Sequence, residues 1–219
     1  MTFEQIKKQL EQYRSEGKKY FTSSSFQSHS IVLLHLLSRI DRSVPVYFLN
    51  TGFHFPETLS FRDKVTELLH LNLKIVESPT PKIHQRDWGG KFLFASDPDY
   101  CCYLNKTLPM EPVLAEFDVW INGVRADQSN TRKNFRVEEP APFGAIRFHP
   151  MLNWNSKMIW EYQKKYSLPF HPMESKGYLS IGCEPCTQKI SLEENNRSGR
   201  WAGMKKTECG LNTDLVLKS

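Results

Sequence analysis

Apolar side chains recur at Phe3, Ile6, Leu10 and Tyr13, a three- and four-residue spacing that places them on one stripe, so residues 3–13 are predicted as an amphipathic helix lying over the core. Lys19-Tyr20-Phe21-Thr22 then reads as a strand, a serine-rich turn follows, and the mostly apolar residues 30–37 read as a helix. The succession returns. Val46-Tyr47-Phe48-Leu49 reads as a buried strand, Asn50-Thr51-Gly52 as a turn, and residues 56–71 as a helix opened by Pro56, whose fixed φ and missing N–H suit a first turn. Leu73-Lys74-Ile75-Val76 and Val119-Trp120-Ile121 supply a third and a fourth strand, and residues 156–166 a further helix. Beyond it come Pro-, Gly- and Cys-containing loops, and the last thirty residues, with Gly199, Gly203 and Gly210, show no period. Strands alternating with helices predict the α/β class, a Rossmann-like parallel sheet with helices on both faces. Ligands of such sheets sit beyond the carboxyl ends of the strands, where the polar turns collect.

Composition narrows the picture. With 219 residues, 39% hydrophobic and 24% charged, the chain suits one well-packed domain and neither a disordered nor a fibrous protein. The formal charge of +5 comes from 29 basic against 24 acidic residues scattered along the chain, which suits a small anionic ligand as well as nucleic acid. The apolar run around Ile31 is interrupted by His35 and too short to span a bilayer, so no membrane role is expected. The opening MTFEQIKKQLEQYRSEG lacks an apolar h-region, and a cytoplasmic protein is expected. In that reducing compartment five cysteines, an odd number, point to metal or catalytic chemistry rather than to disulfides.

Four segments carry chemistry. Ser23-Ser24-Ser25-Phe26-Gln27-Ser28-His29-Ser30 lies between a strand and a helix, where hydroxyls and free N–H groups favour phosphate; serines there also serve as plain helix caps. Ser24, Ser25 and Ser28 are its candidate ligand contacts. Cys101-Cys102 and Cys183-x-x-Cys186 make two close thiol pairs, a soft donor set that selects Zn²⁺ or an iron–sulfur cluster. Adjacent cysteines suit the separate iron corners of a [4Fe–4S] cubane better than one small ion. Cys209 follows Lys205 and Lys206, which would favour its thiolate, and flanking glycines would let it move. Lys106, Arg125, Arg132, Arg197 and Arg200 would together build an oxyanion pocket, although each alone reads as an ordinary surface charge. Trp154, Trp160, Tyr162 and Tyr166 read as core-facing aromatics rather than a base-stacking platform. His54, His84, His149 and His171 show no paired metal spacing, and no ligand role is assigned to them.

Taken together, these segments resemble the family of adenosine 5′-phosphosulfate (APS) and 3′-phosphoadenosine 5′-phosphosulfate (PAPS) reductases, in its iron–sulfur, APS-type branch. The matching pieces are the serine turn, Phe48-Leu49-Asn50-Thr51-Gly52-Phe53-His54-Phe55-Pro56-Glu57-Thr58, Cys101-Cys102, residues 120–132, Gly177-Tyr178-Leu179-Ser180-Ile181-Gly182-Cys183-Glu184-Pro185-Cys186-Thr187, Gly199-Arg200-Trp201 and Glu208-Cys209-Gly210-Leu211. They follow family order over nearly the whole chain.

The resemblance implies an adenine nucleotide alpha hydrolase-like domain over residues 1–190 that binds nucleotide and cluster, and a mobile tail, residues 191–219, that folds over the substrate. It implies that Cys209 attacks the sulfur of the phosphosulfate, expels AMP and is left as an S-sulfocysteine, from which thioredoxin or glutaredoxin releases sulfite for sulfate assimilation and cysteine biosynthesis. Lys106, Arg197 and Arg200 match phosphosulfate-contacting bases; Leu49, Thr51, Gly123, Arg132 and Trp201 match adenosine-side positions. Cys101, Cys102, Cys183 and Cys186 match the ligands of a [4Fe–4S] cluster. Cluster-bearing members generally use APS, so APS is the expected substrate and PAPS the alternative. A homo-oligomer, without nucleic-acid or membrane partners, is the family default. The sequence departs from the family at Asn50, where an acidic residue is common, at Asn212, which replaces a histidine, and in the short stretch 201–209.

Two other classes stay open. One is an ATP-pyrophosphatase-type enzyme transferring sulfur to nucleic acid; the Cys209 tail, and a serine turn without the glycine and aspartate of the PP-loop, count against it. The other is an iron–sulfur nucleotide sensor without turnover.

Overall fold

The computed structural model describes residues 1–189, 199–201, 203, 204, 206 and 208–216. Helix α1 (Phe3–Ser15) starts in a reciprocal capping box: Gln5 N donates to the Thr2 hydroxyl, and Thr2 N donates to Gln5 Oε1. Its Ile6, Leu10 and Tyr13 are buried, as the spacing predicts. There follow β1 (Tyr20–Ser23), α2 (Ser28–Ile40), β2 (Pro45–Asn50), α3 (Pro56–Leu69) and β3 (Asn72–Glu77). Helix α3 stops two residues before its expected end because His70 turns into the left-handed region at φ 51°.

Between β3 and β4 (Val119–Ile121) lie α4 (Leu93–Ser96), α5 (Pro98–Cys102), a π-helical turn (Tyr103–Thr107) and α6 (Leu108–Glu116). The Asp97 carboxylate starts α5 by accepting from Tyr100 N at 3.0 Å. After β4 come α7 (Asn130–Lys133), β5 (Glu138–Pro140), β6 (Ile146–Phe148) and α8 (Ser156–Lys165).

The six strands form one sheet in the order β3-β2-β1-β4-β6-β5. All neighbours are parallel except β5, which runs antiparallel to β6. The expected parallel sheet is therefore mixed at one edge. That edge strand, Glu138-Glu139-Pro140, has no apolar residue to signal it, and its proline is tolerated because the position is peripheral.

The core lies on both faces of the sheet. Val119 and Ile121 pack with α1, α2 and α8, whereas Trp120 between them packs with Met110, Val113 and Leu114 of α6, the two-residue alternation of a doubly covered strand. Each such aliphatic side chain contributes roughly 1.5–3 kcal/mol on burial. Trp154 and Tyr162 flank the first cluster as expected, and Tyr166 flanks a second built on α2, α3 and β2. Trp160, however, is 55% exposed, because it occupies the outer face of α8. The described parts of the C-terminal segment rest on the body, with Trp201 and Leu215 each only 2% exposed. No helix among the described residues is long and apolar enough to cross a membrane.

Strand order reverses between β1, which continues to β2, and β4, its other neighbour. The two carboxyl ends diverge there, and the turns that leave them open a crevice.

Candidate active site

A cavity of about 190 Å³ fills that crevice. One half is built from strand ends. Ser24 and Ser25 follow β1, Leu49 is the penultimate residue of β2, Gly123 follows β4, and all four line the cavity. The α2 N-terminus faces the same space through Gln27, His29 and Ser30, with no side-chain cap from Gln27, and the positive end of the helix dipole there favours an anion. The turn is held from behind. Ser24 Oγ accepts from Phe26 N at 3.0 Å, and Ser23 Oγ accepts from the Trp120 indole at 2.9 Å. Ser28 is also used structurally: its hydroxyl accepts from His171 N at 2.7 Å, its carbonyl accepts from Gln163, and it lies outside the cavity wall.

The other half is brought in from outside the sheet. Lys106 projects from the π-helical turn, and Arg200 and Cys209 come from the C-terminal segment; all three line the cavity. Burial works against the Lys106 ammonium, yet the sulfurs of Cys183, Cys209 and Cys102 hold its pKa above the ordinary lysine value. Arg200 donates to Ile181 O at 3.3 Å and lies over the Trp201 ring at 4.5 Å. Its guanidinium occupies the space that a Cβ on Gly182 would fill, so glycine is required there for the arginine to reach the wall. Trp201 N donates to Cys186 O, and Gln188 N to Gly199 O, which fastens the arginine-bearing segment to the cysteine loop.

Glu208 and Arg132 fix the approach of Cys209. Arg132 donates through Nη2 to Glu208 Oε1 at 2.8 Å and through Nε to Oε2 at 3.0 Å, and both side chains are buried. Ser129 Oγ and the amide N–H of Cys209 also donate to that carboxylate. Paired and hydrogen-bonded in this way, the two charges tolerate burial. Arg132 thus lines the cavity while already engaged by the tail.

Cys101, Cys102, Cys183 and Cys186 are all buried and free of disulfides. They line one small void together with Thr51, Asn105, Lys106 and Trp201. Burial first, and then the neighbouring sulfurs, push two of the thiols up, Cys101 to about 12 and Cys186 to about 11. Such thiols ionise only if a cation joins them. Thr51 Oγ1 lies 3.3 Å from Cys183 Sγ while accepting from Phe53 N, which leaves its proton for the sulfur. Asn105 Nδ2 lies 3.7 Å from Cys101 Sγ and donates to Cys101 O at 2.9 Å. Among the described residues no three His, Cys, Asp or Glu side chains converge as a site for one metal ion. Four soft donors spread around a void with flanking N–H and O–H groups fit a multi-iron cluster better than a single tetrahedral ion. Lys106, Cys183 and Trp201 line both the void and the cavity, so the two spaces share a wall.

The residues proposed from sequence are therefore brought together with a few exceptions. Ser24, Ser25, Leu49, Lys106, Gly123, Arg132, Arg200, Trp201 and Cys209 line the cavity. Thr51 faces the thiol void instead, and Arg125 pairs with Asp127 at 2.9 Å away from the wall. Arg197 lies outside the described residues. His54, His29, Asn122 and Gln128 line the cavity without having been singled out as contacts. His54 could have been suspected from its place in the turn after β2. Its Nε2–H donates to Leu49 O at 2.9 Å, and burial, with Lys106 and Arg62 nearby, lowers its pKa to about 4, so the ring adds no charge.

Comparison with known proteins agrees with this architecture. The phosphoadenosine phosphosulfate reductase domain matches residues 19–189. An adenosine 5′-phosphosulfate reductase of Halalkalibacterium halodurans is 39% identical over 201 residues, covering 91% of this chain and 87% of that protein. One from Bacillus cereus (strain Q1) is 40% identical over 203 residues, covering 91% and 86%. A solved phosphoadenylyl-sulfate reductase from Candida auris, in a phosphate complex, superposes with a TM-score of 0.69 at 22% identity, over 84% of this chain and 89% of that one. A Candida glabrata FMN adenylyltransferase with FAD and pyrophosphate gives 0.57 at 15% identity, over 87% and 66%. The last two likenesses are of fold.

Proposed function

Because the chain belongs to the phosphoadenosine phosphosulfate reductase domain family, we propose that it reduces adenosine 5′-phosphosulfate to sulfite and AMP in sulfate assimilation, with Cys209 as the nucleophile. The observation that carries this reading is that a thiol, an ammonium and a guanidinium, those of Cys209, Lys106 and Arg200, line the same cavity as the N-terminal residues of α2.

In this reading the adenylate sits among Ser24, Ser25, Leu49 and Gly123, and the sulfate lies toward Lys106 and Arg200, with Arg197 as a third base. The Cys209 thiolate attacks the sulfate sulfur. A sulfur–sulfur bond forms, the bond from sulfur to the bridging oxygen breaks, and AMP leaves with that electron pair on its phosphate. Lys106 and Arg200 hold the charge on the sulfonate and phosphate oxygens as the bond breaks. A dithiol, thioredoxin or glutaredoxin, then attacks the Cys209 sulfur, supplies two electrons, becomes a disulfide and frees sulfite. A [4Fe–4S] cluster on Cys101, Cys102, Cys183 and Cys186 would supply structural order and local electrostatics beside Lys106. Cytoplasmic action as a homo-oligomer, with residues 191–219 as a closing tail, belongs to the same proposal.

The test is sulfite and AMP formation from APS with thioredoxin, run beside PAPS and beside ATP with Mg²⁺. Turnover with the highest kcat/KM on APS supports the reading. A strong PAPS preference corrects the substrate, and pyrophosphate release from ATP without sulfite formation overturns the reaction class.

A further inference from the structure

Arg147, the middle residue of β6, is completely buried. A guanidinium is rarely placed so deep unless its donors are used. Here the two terminal nitrogens are used on the C-terminal segment, while Nε is buried without a hydrogen-bond partner among the described residues. Nη1 donates to Leu211 O at 2.8 Å and to Leu215 O at 3.4 Å, and Nη2 donates to Asn212 Oδ1 at 2.8 Å. The cation lies 4.8 Å from the Trp120 ring centre and 5.5 Å from that of Phe135, which fixes its plane from the sheet side. Leu211 and Asn212, which accept the two shorter bonds, belong to a single turn, Gly210–Asn212, that begins immediately after Cys209, and Leu215 follows three residues beyond it.

The turn is also seated from the other side. Thr107 donates to Asp214 Oδ2 at 3.1 Å, and a Cβ on Gly210 would collide with both partners. Asn212 passes the restraint on, because its Nδ2 donates to Glu208 Oε1 at 3.4 Å while its oxygen is held by Arg147. Cys209 therefore stands between two anchored residues, Glu208 on Arg132 and Asn212 on Arg147.

We propose that Arg147 is a positioning residue for the reaction: by gripping the carbonyl of Leu211 and the amide of Asn212 it docks the Gly210–Asn212 turn and sets the Cys209 thiol in the cavity wall. An amide at position 212 serves this purpose by accepting from one arginine and donating to Glu208 at once. The catalytic consequence rests on Cys209 being the nucleophile; the docking itself does not.

The experiment compares the full-length wild type with Arg147→Met, which keeps the side-chain length without the donors, Arg147→Lys, and Asn212→Ala. It reads Cys209 alkylation by iodoacetamide, resolved by peptide mass spectrometry, together with kcat and KM for APS. Arg147→Met should speed Cys209 alkylation about tenfold or more, the opening expected when charge-assisted hydrogen bonds are lost. Its kcat should fall by about 10²-fold, with a smaller change in KM. Arg147→Lys should recover part of both effects, and Asn212→Ala should lie between. Folded Arg147→Met with wild-type alkylation and kcat overturns the proposal, as does a lowered melting temperature with no faster alkylation. If Arg147→Met does not fold, unchanged alkylation in Asn212→Ala overturns it. The alkylation arm needs no turnover, so it decides the docking even if the Cys209 nucleophile assignment fails.

Discussion

Ser24, Ser25, Leu49 and Gly123 hold their half of the cavity from the ends of β1, β2 and β4, whereas Lys106, Arg200 and Cys209 reach the other half from a π-helical turn and the C-terminal segment. The first half is made of small side chains and backbone on a rigid sheet. The second is made of charges and a thiol, joined to the body by hydrogen bonds and by the packing of Trp201 and Leu215. A nucleotide can be bound by distributed, individually weak contacts. A transferring sulfonyl group needs a few strong charges and a nucleophile placed together. The two halves should therefore respond differently to single substitutions.

The comparison breaks most decisively at the thiol. Cys209→Ser should lower sulfite formation by at least about 10³-fold while leaving AMP affinity near wild type, because only the proposed nucleophile is lost; equilibrium dialysis with labelled AMP checks the second half of that statement. Lys106→Ala should come next. Removing a positioned charge from a developing anion costs about 10²–10³-fold in kcat, and the absorption of the proposed iron–sulfur cluster should persist, which separates the ammonium from the thiol set.

A smaller effect is expected with acid and reaches the sheet-side half through its support. His171 Nε2–H donates to Thr58, and its Nδ1 accepts from Met173 N, so the ring is neutral. Burial lowers its pKa to about 4, and burial with the Arg147 charge does the same for His149. A folded pKa below the unfolded value near 6.5 means the unfolded chain takes up more protons between those limits. Stability is therefore complete above about pH 6.5 and lost as the pH falls toward 4, by up to about 3 kcal/mol per ring. Melting temperatures across that range should fall, and His171→Gln should flatten the fall. Smallest of all, Ser25→Ala should raise the KM for APS only about fivefold, the worth of one hydrogen bond, with kcat unchanged in steady-state assays.

The same contrast governs what could be read along the chain. The strands and helices of the sheet-side half followed from periodicity: Ile6, Leu10 and Tyr13 are buried where a helical stripe requires, and Val119-Trp120-Ile121 is buried on both faces. The cysteines were legible because two close thiol pairs are unusual, whereas Lys106 alone reads as a surface charge and was singled out by the family resemblance. Strand β6 was not, since Ile146-Arg147-Phe148 places a charge where a core residue is expected, and only its partners across 64 residues explain it. The Arg132–Glu208 pair, 76 residues apart, has no local signal either. Ser28 illustrates the converse. It sits in a motif that reads as ligand-binding, yet its hydroxyl is taken by His171 from a loop that periodicity does not place.

The most direct measurement mixes the protein with APS in the absence of any reductant and determines the mass of the Cys209 peptide. The account predicts the addition of one SO₃ group on Cys209, with release of an equal amount of AMP. AMP release with an unmodified Cys209, or the same modification on a different cysteine, would contradict it.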